Sequence, residues 1–297
     1  MSRTILPLFL VGVLLLPPAT AAPLPADELE RECWLRHTRE RTRVNVREPT
    51  GVEFSNLARG HQLRSPFQVD FAVRGMGVVP AGKPLDGAGH HHILVNTPLP
   101  VNIQAQIPFS DTHKHFGKGQ TGTVLDLPPG RHKLRLLFAD HEHRPYFVFS
   151  PELEVTVTAA RTARPLPIDR RNFESSCTAW YQDELARPRP PGELVSLLNL
   201  RDGEAVTSPF NLRFGVEGFG VCAAGQSAER SGHFMLEVYQ GNRLQRTVDL
   251  SNGATQTNLA LANGSYGLVL RFVDGKTRRD LLPPSETAVQ VTGQERV

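Results

Sequence analysis

The sequence contains no apolar run long enough to cross a bilayer as a helix and no block of residues of one charge sign. Its longest apolar run, Ile5–Leu16, has 12 residues, whereas a spanning helix needs about 20. The 33 lysines and arginines nearly balance the 30 aspartates and glutamates, and both signs are mixed along the chain. Nucleic-acid and anionic-lipid binding usually require clustered basic residues. The composition therefore argues against an integral membrane protein and a nucleic-acid partner, and it leaves any protein partner unknown.

Cysteine is also scarce, with three residues and no Cys-x-x-Cys pair. In an oxidising compartment, three cysteines predict one disulfide and one unpaired thiol. Cys33 and Cys177 lie in matching segments ahead of two similar domains, and each is close to a tryptophan. We expect these two to form the disulfide, and we expect Cys222 to be a small buried side chain.

The N-terminus has the pattern of a signal peptide over residues 1–21. Arg3 supplies a positive charge, the short apolar run follows, and Ala19-Thr20-Ala21 provides small residues at a cleavage point. We therefore expect a periplasmic or secreted protein whose mature chain begins near Ala22.

Most of the chain is a duplication. A shift of 143 residues places Val52–Val95 over Val195–Val238, and a shift of 134 places Gly119–Asp140 over Gly253–Asp274. A period this long indicates two domains rather than a solenoid. The expected boundaries are a pre-domain segment at 22–47, a first domain at 48–158, a linker with a short helical segment at 159–191, and a degenerate second copy at 192–297.

Each copy has the pattern of short strands separated by turns. Phe67–Val73 and Phe210–Val216 alternate apolar and polar residues, and Pro128-Pro129-Gly130 is typical of a turn between strands. About seven strands in about 100 residues indicate an immunoglobulin-like fold. The predicted fold class is all-β, with two tandem antiparallel β-sandwich domains.

Histidine is the most distinctive residue of the first copy: eight of the eleven lie between positions 90 and 143, and seven of those eight belong to three short histidine motifs. Imidazole is the commonest protein ligand for transition metals and suits copper and zinc. Because side chains alternate along a strand, His91 should face the core while His90 and His92 face outward. The candidate metal ligands are His90, His91, His92, His113, His115, His141 and His143.

The second copy acts as an internal control for this hypothesis. In the repeat, only His90 keeps its residue type, so the histidine cluster is an addition to the fold rather than a requirement of it. The equivalent pairs expected from the two shifts are His90 and His233, His91 and Phe234, His92 and Met235, His141 and Gly275, and His143 and Thr277.

Other motifs are weak. The glycines of Gly75-x-Gly77-x4-Gly82 recur in the second copy, and no lysine with serine or threonine follows them, so we interpret this as a structural loop. There is no Gly-x-Ser-x-Gly elbow and no His-Glu-x-x-His helix. Two alternatives to simple metal binding stay open: a metal-dependent enzyme of the cell envelope, which would use an open coordination position, and an envelope or adhesion module that binds no metal.

Three histidine motifs and one glycine loop resemble an uncharacterised family of exported bacterial β domains of unknown function. The resemblance covers Val52 to Thr158 and implies an exported β domain without an established activity, with the second domain a degenerate copy. The matching stretches are Gly89-His90-His91-His92, His113-x-His115-Phe116-Gly117-x-Gly119-Gln120-Thr121, Asp140-His141-x-His143, and the loop Arg74–Gly82.

Overall fold

The computed structural model describes residues 19–44, 50–226 and 228–294, so most of the predicted signal peptide lies outside the described residues. The described chain begins with a two-residue strand and two helices. These are β1 (Ala19–Thr20), α1 (Glu28–Arg36) and α2 (Thr38–Arg41). Helix α1 begins after Asp27, whose side chain accepts hydrogen bonds from the backbone N–H groups of Leu29 and Glu30, as an N-cap does.

The first domain is a sandwich of two sheets. One sheet has the order β2-β4-β8, and the other has the order β3-β11-β9-β6-β5, with β7 on β6 and β10 on β9. The strands are β2 (Gly51–Phe54), β3 (Gln62–Ser65), β4 (Phe67–Arg74), β5 (Gly77–Val78), β6 (Ala88–Val95), β7 (His113–Phe116), β8 (Gly122–Leu125), β9 (Gly130–Ala139), β10 (Pro145–Phe149) and β11 (Leu153–Ala160).

A helix then separates the first domain from a second sandwich of the same design. Helix α3 is Phe173–Leu185, within the linker where a short helical segment is expected. The second domain has one sheet of order β12-β14-β18 and one of order β20-β19-β16-β15, with β13 on β20 and β17 on β16. Its strands are β12 (Leu194–Leu197), β13 (Glu204–Ser208), β14 (Phe210–Glu217), β15 (Gly220–Val221), β16 (Ser231–Gln240), β17 (Arg243–Asp249), β18 (Gln256–Leu259), β19 (Gly264–Val273) and β20 (Ser285–Gln294).

This architecture confirms the predicted fold class of two tandem immunoglobulin-like β-sandwiches. The core lies between the two sheets of each domain, where alternate residues of β4, β6 and β9 point inward. Phe71, Ile93 and Phe138 are at most 1% exposed in the first domain. Burying large apolar side chains of this kind contributes about 1.5–3 kcal/mol each. No helix in the described ranges is long and apolar enough to cross a bilayer.

The helices form a separate layer that joins the two domains. Cys33 of α1 and Cys177 of α3 form a disulfide with Cα atoms 5.5 Å apart, and Cys222 is a buried free thiol. The Arg41 guanidinium pairs with Glu204 of the second domain, and both side chains are at most 4% exposed. This layer accounts for the tryptophan and cysteine segments that precede each domain.

The two domains contact each other through reciprocal backbone hydrogen bonds. The N–H of Val78 donates to the carbonyl of Gly253 at 3.0 Å, and the N–H of Val221 donates to the carbonyl of Gly119 at 2.8 Å. These two bonds are equivalent under the sequence repeat, so the interface has approximate twofold symmetry. The glycine loop around Gly77 therefore lies at the contact between the domains.

Candidate metal centre

Strand β6 carries three consecutive histidines between its neighbours β7 and β9. His91 faces the core, where its ring lies 5.2 Å from that of Phe71 and 5.0 Å from that of Phe138. The equivalent Phe234 lies between Phe214 and Phe272 in the second domain. His91 is therefore placed on the opposite face of β6 from the other two, as strand alternation predicts.

His90 and His92 meet His115 on the outer face of the sheet. Their Nε2 atoms are 3.1 Å apart, so one ring donates to the other. His115 is directly across from His92 in the β6–β7 pairing. One ring nitrogen from each of these three residues lies within 4.8 Å of the others.

His143 lies beside this group, on the turn between β9 and β10. Its ring centre is 5.0 Å from that of His90 and 4.8 Å from that of His115. The turn is held by the Asp140 carboxylate, which accepts hydrogen bonds from the N–H groups of Glu142 and Arg144 at 2.8 Å. Asp140 is thus engaged in its own turn rather than with the imidazoles.

His113 and His141 are not brought into the group. His113 is on β7 two residues from His115, and its Nδ1 lies 3.1 Å from the Thr112 hydroxyl and 3.3 Å from the Ser110 hydroxyl. His141 is half-buried in the turn, and its carbonyl accepts a hydrogen bond from the N–H of Gly82. Of the seven candidates, the structure assembles three and places His143 next to them.

The outward-facing histidines are more deeply buried than strand alternation suggests. His90 and His92 have no exposed surface. Residues 96–112, between β6 and β7, contribute Ile107 and Leu99, which pack against Leu94 of β6 and Leu137 and Ala139 of β9. His90 and His92 therefore lie on the outer side of the sheet, as expected, but this side is covered and they are not exposed to solvent.

This burial keeps the imidazoles neutral. It lowers the pKa of His90 to about 3 and that of His92 to about 2, with smaller contributions from the neighbouring histidines. It also lowers the pKa of His115, with a further contribution from His143. Neutral imidazole is the form that binds a metal ion.

Several ring nitrogens of this group have no hydrogen-bond partner among the described residues. They are His90 Nδ1, His92 Nδ1 and His115 Nε2, all buried. A buried polar group without a partner costs about 1–3 kcal/mol, so such a group calls for a physical explanation, of which a bound ion is one. The Nε2 atoms of His90 and His92 face each other, and His115 Nε2 has no partner among the described residues, so the donor set fits a metal ion bound through ring nitrogens of these three residues.

Two features of this site were not found from the sequence. Phe109 stacks on His115 with ring centres 4.5 Å apart, and the N–H of Ile107 donates to the carbonyl of His143. Both belong to residues 96–112, the stretch in which the second copy is shorter. The difference in length between the two copies indicates an added loop in the first domain, but it does not predict where that loop packs.

The second domain has different residues at the equivalent positions. His233 Nε2 lies 3.1 Å from Asp249, and the Arg278 guanidinium pairs with the other oxygen of that carboxylate. Arg278, not Thr277, occupies the place of His143, because the turn is one residue longer in the second domain. Arg278 and His143 also share a left-handed backbone conformation, with φ of 57° and 66° respectively. The equivalent pairs are His90 and His233, His92 and Met235, His115 and Asp249, and His143 and Arg278.

A second group of potential ligands comprises Cys33, His37 and Cys177. The two sulfur atoms are bonded to each other. The thiolates that a metal ion would require are therefore not present.

Comparison with protein families gives one match, to a domain of unknown function, DUF4399, over residues 69–158 and 212–292. These two stretches make up more than half of the chain. The chain therefore belongs to this family, with the domain present twice, and the resemblance seen in the sequence is confirmed. No curated protein matches the chain.

Among solved structures, the chain is similar to fibronectin type III modules. The fibronectin(III)-like modules of CbhA from Clostridium thermocellum match at 8% identity, 82% of this chain and 94% of that chain, with a TM-score of 0.24. A two-domain fibronectin type III segment of chicken tenascin matches at 9% identity, 82% of this chain and 100% of that chain, with a TM-score of 0.20. Scores this low support no inference about function.

Proposed function

We propose that the first domain binds one transition-metal ion, copper or zinc, through His90, His92 and His115, with His143 as a fourth ligand. The observation that supports this most directly is the convergence of one ring nitrogen from each of three buried or half-buried imidazoles, with His115 Nε2 left without a partner among the described residues. A bound ion would satisfy one ring nitrogen of each imidazole and so offset part of the cost of burying these side chains.

The spacing of the imidazoles suits a tetrahedral ion. Metal–nitrogen bonds of about 2.0–2.1 Å in a tetrahedron place neighbouring nitrogens about 3.3 Å apart. The Nε2 atoms of His90 and His92 are already 3.1 Å apart, and the three ligand atoms lie within 4.8 Å. Small side-chain rotations of His115 and His143 would complete the coordination.

The ligand chemistry favours copper and zinc among the available ions. Neutral nitrogen donors suit Cu, Zn, Ni and Fe, and affinity generally rises towards Cu(II) along the divalent series. We further propose that the protein works outside the cytoplasm. The signal-peptide pattern and a disulfide between the helices support this location.

Calorimetric titration of the whole chain, stripped of metal with EDTA, tests the proposal. We expect one equivalent of Cu(II) or Zn(II) to bind, and His115→Ala to weaken binding at least tenfold. His113→Ala is the matched control, since it removes the same residue type from the same strand outside the group. No binding by the wild-type chain, or equal losses in the two variants, would refute the proposal.

A further inference from the structure

Gly117 directly follows β7, two residues after His115, and has a close neighbour where a side chain would be. A β-carbon built on Gly117 would lie 2.2 Å from Cε1 and 2.3 Å from Nε2 of His115. Carbon–carbon contacts below 3.0 Å do not occur in folded proteins, so the ring and a side chain at position 117 exclude each other. The imidazole therefore occupies the space that any other residue would need.

Backbone conformation does not explain this glycine. Gly119, two residues later, has a left-handed φ of 78°, but Gly117 is not among the described glycines with such an angle. The carbonyl of Gly117 accepts a hydrogen bond from the N–H of Ala81 at 2.9 Å, which any residue can do. The main obstacle to a side chain at this position is the neighbouring ring. The third close atom, Cβ of Ala81 at 3.1 Å, would have to shift by only a few tenths of an ångström.

The second domain shows the same loop with a side chain present. Ser251 is the equivalent of Gly117, and its carbonyl accepts the equivalent hydrogen bond from Ala224 at 2.7 Å. There, the position of His115 is occupied by Asp249, which is shorter and has no ring. The backbone thus tolerates a β-carbon at this position when no imidazole has to be accommodated.

We propose that Gly117 is a positioning residue of the metal centre: by having no side chain, it lets the His115 imidazole turn inward to His90 and His92. This inference rests on the proposed metal-binding function. With a serine at position 117 the loop would keep its backbone conformation, as it does with Ser251 in the second domain. The serine side chain would displace the His115 imidazole from the other two rings.

The test compares Gly117→Ser with wild type in the whole chain. We expect Gly117→Ser to weaken Cu(II) or Zn(II) binding at least tenfold and to alter the visible absorption of the Cu(II) complex. The melting temperature of the metal-free protein should stay nearly unchanged, because the clash is relieved by rotating one side chain. Gly267→Ser is the matched control, since its β-carbon would have only an ordinary contact of 3.8 Å with Tyr239, and it should bind like wild type.

A double-mutant cycle shows whether Gly117 acts through His115. In the His115→Ala background, Gly117→Ser should cause no further loss of affinity. If the wild-type chain and Gly117→Ser bind the ion equally well, this inference is wrong and the proposed metal site is unaffected. Additive losses in the cycle also overturn it, because Gly117 would then act by another route. A wild-type chain that binds neither ion overturns the proposed function itself.

Discussion

Three neighbouring residues in β6 have different surroundings, and the sequence predicts only part of this difference. The two-residue period of a strand, together with Phe234 in the repeat, correctly places His91 in the core. The same reasoning places His90 and His92 on the outer face, but it does not show that this face is covered. Whether an outer face is exposed depends on loops that pack from elsewhere in the chain, and the pattern within one strand has no information about them.

At the residue scale, we predict that His91→Phe stabilises the metal-free protein by about 1 kcal/mol. Both ring nitrogens of His91 are buried without a partner among the described residues, and removing an unsatisfied polar group recovers part of a cost of about 1–3 kcal/mol. Phenylalanine already fills the equivalent place in the second domain. Urea unfolding measures the change, and metal affinity should not move. A destabilised variant would mean that the His91 ring is hydrogen-bonded in the folded protein, for example to a buried water.

Buried neutral histidines also predict how the stability of the metal-free protein depends on pH. Burial lowers the pKa to about 4 for His61, about 3 for His90 and His91, and about 2 for His92. The unfolded chain takes up these protons near pH 6.5, whereas the folded chain does not until lower pH. The free energy of unfolding should therefore fall as pH drops from about 6.5 towards 4, by up to about 1.4 kcal/mol per pH unit for each histidine.

Urea unfolding in EDTA at pH 7.5, 6 and 5 measures this loss. His61→Gln is a useful comparison because His61 lies away from the metal centre. It should reduce the slope of the unfolding free energy against pH by the contribution of about one proton. A free energy of unfolding that stays level between pH 7.5 and 5 would show that these imidazoles take up protons in the folded protein as readily as in the unfolded chain.

At the scale of elements, the strands and turns follow from the sequence, whereas the cover over the site does not. Alternation and turn residues predict strands such as β4 and β14. Residues 96–112 have no period, and their packing depends on the outer face of β6 and β9. Phe109 is 59% exposed yet stacks on His115, so this element closes the more accessible side of the imidazole group.

We predict that Phe109→Ala speeds release of the metal several-fold without a large loss of stability. The side chain is mostly exposed, so its removal should cost little folding free energy, while it opens a path to His115 and His143. Stopped-flow transfer of the metal to a chelator measures the rate. Phe147→Ala is the control, because Phe147 is 81% exposed in the same domain and does not contact the cluster. Equal rates in wild type and Phe109→Ala would show that Phe109 does not limit access.

At the scale of the whole molecule, the repeat predicts two domains but not how closely they are joined. A β-carbon at Gly77 would lie 1.8 Å from the carbonyl oxygen of Asn252, and one at Gly220 would lie 1.6 Å from that of Lys118. These glycines are needed because the backbone of one domain passes directly over the other. No pattern within one copy encodes such a contact. Experiments on the two domains are therefore best made within the intact chain.

The intact chain permits a direct test of which positions create the metal centre. We predict that Met235→His, Asp249→His, Arg278→His and Ser251→Gly together give the second domain its own site, so that the chain binds two equivalents of Zn(II) instead of one. His233 is already in place, and the strand pairing of β16 with β17 matches that of β6 with β7. The lost Arg278–Asp249 pair has side chains that are 59% and 25% exposed, and such pairs contribute little to stability.

The control for this transfer is the triple variant that keeps Ser251. It should bind one equivalent, because the β-carbon of Ser251 would occupy the space that the new histidine at position 249 needs. Calorimetry gives the stoichiometry, and circular dichroism shows whether both variants keep the β fold. A folded quadruple variant that still binds one equivalent would mean that residues 96–112, a stretch that is nine residues shorter in the second domain, are part of the requirement. Two equivalents in the triple variant would show instead that the missing side chain at position 117 is not a determinant of the site.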